Sequence, residues 1–254
     1  MRIIRAFSSM AFVCLFTIAW SSAADAAEIH VLCSNGLKAV MEDLAPQFER
    51  ASGHKIVVKY GLAAGFKQQI EAGEAFDVAV LTPPLIDDLI KQGKMAADSR
   101  AVIARTGLAL MIRAGTRKPD VSNTEAFKRS LVAAKSIAFA KEGASGVAFA
   151  ALLPRLGIAD TLKTKLKPTS TGEEVNQLVV RGDAEFGVLP LSEILGVPGA
   201  DLGGMFPADV QTYITMATAA SSNAKQGAAA RELIKFLMAP AALPTIKAKG
   251  MERN

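Results

Sequence analysis

The sequence predicts an α/β protein made of two doubly wound lobes with a cleft between them. Three observations predict it. Strand-like and helix-like segments alternate along most of the chain, which favours a mostly parallel sheet covered by helices on both faces. Four strand-to-helix junctions are short, built of small residues and divided evenly between the two halves. The chain closes on two helical segments with no strand after them, so these are available to return to the first half.

The elements follow in order. Ile29, Val31 and Cys33 alternate with His30 and Leu32 as a strand does, and Leu37, Val40, Met41, Leu44 and Phe48 then recur at helical spacing up to Gly53. "KIVVKY" (55–60) reads as a strand, "FKQQIEAG" (66–73) as a short helix and "DVAVL" (77–81) as a third strand. Thr82 caps a helix with Pro83 and Pro84 in its first turn. "GLALMI" (107–112) is a buried strand, "TEAFKRSLVAA" (124–134) a helix started by Ser122 or Asn123, and "SIAFA" (136–140) a strand. "GASG" (143–146) leads into a helix running to about Leu156. "STGEEVNQLVVRG" (170–182) is a capped helix, "AEFGVL" (184–189) a strand and "VQTYITMATA" (210–219) a longer one. The Gly/Pro-rich stretch from Val197 to Pro207 is the least regular part, and helices close the chain over about 224–238 and 241–249. The resulting division is a first lobe over 27–106, a second over 107–214, and a return to the first over 215–254.

Residues 1–26 read as a secretory signal. Arg2 and Arg5 precede an apolar stretch from Ala6 to Trp20, and Ala24-Asp25-Ala26 has the small-x-small pattern of a cleavage site. About 15 apolar residues are too few for a membrane span, which needs roughly 20. Cleavage removes two basic residues and one acidic one, leaving a net charge of about +4 and the single cysteine Cys33. Such a field favours small anions. Nucleic acid is not indicated, because the basic residues are scattered and aromatics are few.

The four junctions, "CSNG" (33–36), "GLAAG" (61–65), "GASG" and "STG" (170–172), can each present free backbone N–H groups at a positive helix end, which suits a carboxylate or an oxyanion. The candidate ligand-binding residues are therefore Ser34, Asn35, Gly36, Ala63, Ala64, Gly65, Thr82, Ser145, Gly146, Thr171 and Gly172. Each junction taken singly is also an ordinary helix cap. Arg105, just before a buried strand, can either clamp a carboxylate at two points or form a salt bridge between the lobes. Catalytic motifs are missing: His30 and His54 have no partner at motif spacing, Cys33 has no apparent base, and no P-loop, GxGxxG, GxSxG or zinc spacing occurs. No cofactor or metal is implied, and the chain reads as a non-enzyme.

"SNGLKAVMEDLAPQFERASG", "QQIEAGEAFDVAVLT", "LVVRGDAEFGVLPLSEIL" and the closing "ARELIKFLMAPAALPTIKAKGME" together resemble the periplasmic molybdate-binding proteins of ABC importers, over nearly the whole mature chain. The resemblance implies a type II periplasmic binding protein, with two lobes on a two-strand hinge that close around an anion. It also implies a periplasmic location, an ABC permease as partner and a monomer. Carried over by position, a serine of the family falls on Gly36 beside Ser34 and Asn35, and a serine-rich loop falls on Leu62, Ala63 and Ala64. The second-lobe donors fall near Ser145 and Gly172, and a tyrosine that donates to the oxyanion in many members falls on Pro190, which has no donor. These replacements point to a divergent member whose ligand is another small anion, an organic carboxylate first. Molybdate or tungstate on the same fold is the alternative. A periplasmic enzyme using Cys33 or a histidine, or a sensor without a transported ligand, is the alternative of another class.

Overall fold

A computed structural model describes residues 26–253 of the chain; the segment read as a secretory signal lies outside the described residues, apart from Ala26. The polypeptide begins with β1 (Glu28–Ser34), a 3₁₀ turn over Asn35–Leu37, α1 (Lys38–Ser52), β2 (Lys55–Gly61), α2 (Ala63–Glu71), β3 (Val78–Leu81) and α3 (Pro83–Lys91). The two-residue period of β1 divides its side chains between two layers. Ile29, Val31 and Cys33 pack with Val40, Met41, Leu44 and Phe48 of α1. Leu32 packs on the opposite face with Phe66 and Ile70 of α2 and Ile86 and Leu89 of α3. One strand thus fixes helices on both sides of the sheet, and each buried Leu, Ile or Phe contributes about 1.5–3 kcal/mol. Gly53 ends α1 at φ 76°, the left-handed conformation that a side chain would resist.

A thirteen-residue strand, β4 (Ala101–Arg113), follows and belongs to both halves of the sheet. Its residues 101–107 pair antiparallel with β9 (Tyr213–Ala220), the strand that returns the chain to the first half. Residues 108–111 pair with β7 (Phe186–Pro190), and 109–113 with β8 (Ala200–Met205). Between them lie α4 (Thr124–Ala133), β5 (Ile137–Ala140), α5 (Ala144–Arg155), α6 (Ala159–Leu162), β6 (Leu166–Thr169) and α7 (Gly172–Arg181). The sheet order is β2-β1-β3-β9-β4-β7-β5-β6, with β8 on β4 outside that path. β1, β2 and β3 are parallel to one another, and so are β5, β6 and β7. The expected doubly wound α/β architecture is present. Gln211 secures the return crossing, since its Oε1 accepts from Leu108 N–H at 2.8 Å while its Nε2 donates to the Leu108 carbonyl at 3.1 Å. The closing helices, α8 (Gly227–Met238) and α9 (Leu243–Ala248), contribute Leu233, Leu237 and Ile246 to the cluster that holds α1.

Three local expectations are corrected. The segment read as the loop "GLAAG" is helical from Ala63 onward, because extended Leu62 serves as N-cap and alanines propagate a helix readily. "GASG" is likewise helical after Gly143. The stretch from Val197 to Pro207 contains β8, whose glycines hide it from a propensity reading and whose register on β4 slips between Leu110 and Met111. The short α6 and β6 carry too few apolar residues to show in the sequence pattern.

Candidate functional site

The carboxyl ends of β1, β2, β3, β5 and β7 open on one cavity of about 360 Å³, the place where open α/β sheets bind ligands. Each of these strands delivers a turn or helix start to it. Ser34 ends β1, and Asn35 and Gly36 come from the turn after it; Leu62, Ala63 and Ala64 come from the start of α2, and Thr82 and Leu85 from the start of α3. The facing wall is Glu142 to Ser145 at the start of α5, Gly172 at the start of α7, and Pro190 with Glu193 after β7. Ile214 and Met216 of β9 contribute to the lining.

The helix starts are chemically open. In α2 the first intrahelical bond runs from Phe66 N–H to Leu62 C=O at 3.1 Å, so the N–H groups of Ala63, Ala64 and Gly65 have no acceptor within the helix. Thr82 and Gly143 begin α3 and α5 without a side-chain cap bond, although Pro83 and Pro84 leave α3 with no N–H groups in its first two positions. Thr171 does cap α7, accepting from Glu174 N–H at 3.2 Å. These helix starts place positive dipole ends around a site with no Lys, Arg or His in its lining among the described residues.

Of the residues singled out in the sequence, Ser34, Asn35, Gly36, Ala63, Ala64, Thr82, Ser145, Gly172 and Pro190 line this cavity together. Gly65 and Gly146 do not. A Cβ on Gly146 would run into the Ala140 carbonyl, so this glycine lets α5 approach β5. Thr171 lines a neighbouring cavity of about 610 Å³ that shares Asn35, Leu62 and Glu193 with the first. Arg105 is outside both. Its main chain exchanges two hydrogen bonds with Glu252, its Nε donates to Glu252 Oε1 at 2.8 Å, and its guanidinium lies 4.3 Å from the Tyr213 ring centroid. Arg105→Ala should therefore leave ligand affinity unchanged and cost about 1 kcal/mol or less in urea unfolding, as a partly exposed ion pair does. A tenfold loss of affinity in the variant would return Arg105 to the site.

The residues weighed for catalysis are structural or remote. Cys33 is fully buried behind the site, and desolvation pushes its thiol far above the ordinary range, which suppresses the reactive thiolate. His54 Nδ1 accepts from Ala27 N–H at 3.1 Å, and His30 pairs on the surface with Glu28 at 3.1 Å.

The sequence reading missed Glu193. It ends the short 3₁₀ turn Leu191–Glu193 that follows β7, half-buried between the two cavities. Its carboxyl lies against the first residue of α7, where a Cβ on Gly172 would collide with Oε2. Burial pushes this carboxyl up to about 7, with only the Lys38 charge pulling the other way. The turn is anchored from both sides: Ser192 Oγ donates to the Gly36 carbonyl at 3.0 Å, and Ser192 N–H to Thr106 Oγ1 at 3.3 Å. The available signal was an acid three residues past a buried strand in "VLPLSEIL".

Comparison with known proteins bears on what such a site serves. Residues 29–252 match the model of a family described as bacterial extracellular solute-binding protein. An aconitate isomerase from Pseudomonas sp is 32% identical over 228 residues, covering 87% of this chain and 86% of that protein. The molybdate-binding protein ModA of Azotobacter vinelandii is 31% identical over 233 residues, covering 90% and 91%. Among solved structures, the Azotobacter vinelandii periplasmic molybdate-binding protein superposes with a TM-score of 0.77 at 22% identity, over 89% of this chain and 99% of the other. A match across nearly all the described residues, on a fold with its strand ends gathered at one cavity, leads to one conclusion: the chain belongs to the bacterial extracellular solute-binding protein family.

Proposed function

We propose that this protein is the periplasmic receptor of an ABC importer and that its ligand is a small organic carboxylate. The lobe formed by residues 27–106 and 215–254 closes on residues 107–214 around that ligand, with β4 and β9 as the hinge, and hands it to a permease. The closed form gains population because only there does the ligand touch both walls. One observation carries the ligand class: the cavity pairs main-chain donors at helix starts with apolar walls from Leu62, Leu85, Ile214 and Met216, and has no basic side chain among the described residues. A compact oxyanion needs donors on every side, and an oxygen left without one in a closed site costs about 1–3 kcal/mol or more. A carboxylate on a carbon frame uses both kinds of wall. The cavity volume also lies within the range of about 300–1,000 Å³ typical of small organic ligands.

Titration calorimetry of the mature protein against di- and tricarboxylates, molybdate, tungstate, sulfate and phosphate tests this. Micromolar binding of a carboxylate, with the inorganic anions at least tenfold weaker, is the expected result. Tight molybdate binding with no response to carboxylates would assign the site to the inorganic oxyanion instead.

A second reading is favoured by Glu193 together with the relative named aconitate isomerase. Isomerisation by removal and return of a proton needs one group that titrates near neutrality within reach of the ligand. The protein would then interconvert unsaturated carboxylates in the same cavity. Incubation with cis- or trans-aconitate in D₂O, followed by NMR, separates the readings. Appearance of the other isomer, abolished by Glu193→Gln, establishes an enzyme; unchanged substrate with measurable binding leaves a receptor.

A further inference from the structure

We propose that Glu193 meets the bound anion as the neutral carboxylic acid, so that capture of the anion takes up one proton from solvent. This rests on the reading of the cavity as an anion site and adds its regulation by pH.

The geometry forces the question. An anion in the 360 Å³ cavity shares it with two acids and with no basic side chain among the described residues. Glu142 is exposed at the rim, where its charge is screened by water. Glu193 has no such relief, being half-buried against the start of α7. Two like charges in one small cavity do not both persist, and the more desolvated group takes the proton.

The groups around Glu193 leave it without a countercharge in contact. On α1, Lys38 lies 3.8 Å from Glu42 and 5.7 Å from the centroid of the Tyr60 ring of β2, so its charge is largely committed. Glu173 of α7 lines the neighbouring cavity and adds a further negative charge. From β4 the turn is anchored by the neutral Thr106. Asn176 of α7 adds a second observation. Its Nδ2 donates to the Glu193 carbonyl at 3.5 Å, while its Oδ1 is buried with no donor. An acceptor beside the Glu193 turn, on the side of the neighbouring cavity, is thus left without a donor among the described residues. With its carboxyl already pushed up to about 7 in the empty protein, Glu193 is half-protonated near neutrality. A bound anion raises it further, because each charge disfavours the other.

As a neutral acid Glu193 donates a hydrogen bond to the ligand, and as a carboxylate it repels it. Affinity therefore falls with rising pH, approaching tenfold per unit above the titration of the empty site. The variant Glu193→Gln keeps a neutral donor at every pH.

The test has a ligand-free arm and a ligand arm. In ¹³C NMR of glutamate-labelled protein, the resonance absent from Glu193→Gln should titrate within about a unit of pH 7, as its desolvated setting requires. Titration of that resonance at an ordinary glutamate position near pH 4.5 overturns the proposal. In the ligand arm, calorimetry with citrate and trans-aconitate in two buffers of different ionisation enthalpy should show uptake of a substantial fraction of one proton at pH 7.5. Affinity should drop several-fold between pH 6.5 and 8 in the parent and stay flat in Glu193→Gln. Binding without proton uptake, or an equal pH slope in both proteins, also overturns it. If none of the carboxylates or inorganic anions binds, the proposed function fails, and the inference about the acid is then decided by the NMR arm alone.

Discussion

Glu193→Gln should be as stable as the parent at pH 4 and more stable at pH 8, by up to about 3 kcal/mol. The sign follows from the direction of the shift. The Glu193 carboxyl is raised from 4.5 to about 7 in the folded protein, chiefly by desolvation. Below pH 4.5 it is protonated in both the folded and unfolded chain and contributes no difference. Between the two values the folded state binds more protons than the unfolded one, so stability falls as pH rises. Above 7 the group is charged in both states and the folded one bears the whole penalty. At about 1.4 kcal/mol per unit, the interval corresponds to the figure above. It is an upper bound, since water reaches the carboxyl through the cavity. Glutamine cannot ionise, so the difference between the two proteins isolates this residue from other acids. Thermal midpoints measured from pH 4 to 8 should diverge by as much as roughly 6–12 °C at the alkaline end. A difference that does not change with pH would mean that Glu193 ionises as an exposed glutamate does.

That prediction concerns the residue the sequence did not reveal, and the reason is physical. Periodicity reports which side chains are buried, because burial repeats along an element. It found the β1–α1–β2 unit from Ile29, Val31, Cys33 and Phe48, all deeply buried in one cluster. The junctions that hold Ala63, Ser145 and Gly172 were legible as well, since small residues after a strand mark a turn, although α2 and α5 begin earlier than the pattern suggested. Glu193 sits in a three-residue turn that has no period. Its place in the cavity depends on Ser192 reaching Gly36, a residue 156 positions earlier. Arg105 was legible only as a choice. A guanidinium at the start of a buried strand allowed either a carboxylate clamp or a salt bridge, and the partner of its ion pair, Glu252, is 147 residues away in sequence. Local patterns identify main-chain donors, whereas the pairing of charges is settled by the long-range fold.

The donors proposed for the ligand are main-chain groups, which side-chain truncation cannot remove, so the decisive substitution is proline. Ala63→Pro deletes the first N–H of α2 and should weaken binding of the best ligand by roughly 10- to 150-fold, the worth of one hydrogen bond to a charged group at about 1.5–3 kcal/mol. The fold should tolerate it. Position 63 is the first residue of the helix, where the N–H has no acceptor within the helix and a fixed φ near −65° fits. The preceding residue, Leu62, already has the extended conformation that proline requires, at φ −79° and ψ 138°. The same chain starts α3 in this way: Thr82, at φ −73° and ψ 148°, is followed by Pro83 and Pro84. Ala63→Gly is the matching control, because it keeps the N–H while removing the methyl. Calorimetry should show the loss in the proline variant alone, with thermal midpoints close to the parent. Equal affinity in Ala63→Pro and the parent would remove the start of α2 from the site and leave the anion to the opposite wall, where Ser145, Gly172 and Glu193 stand.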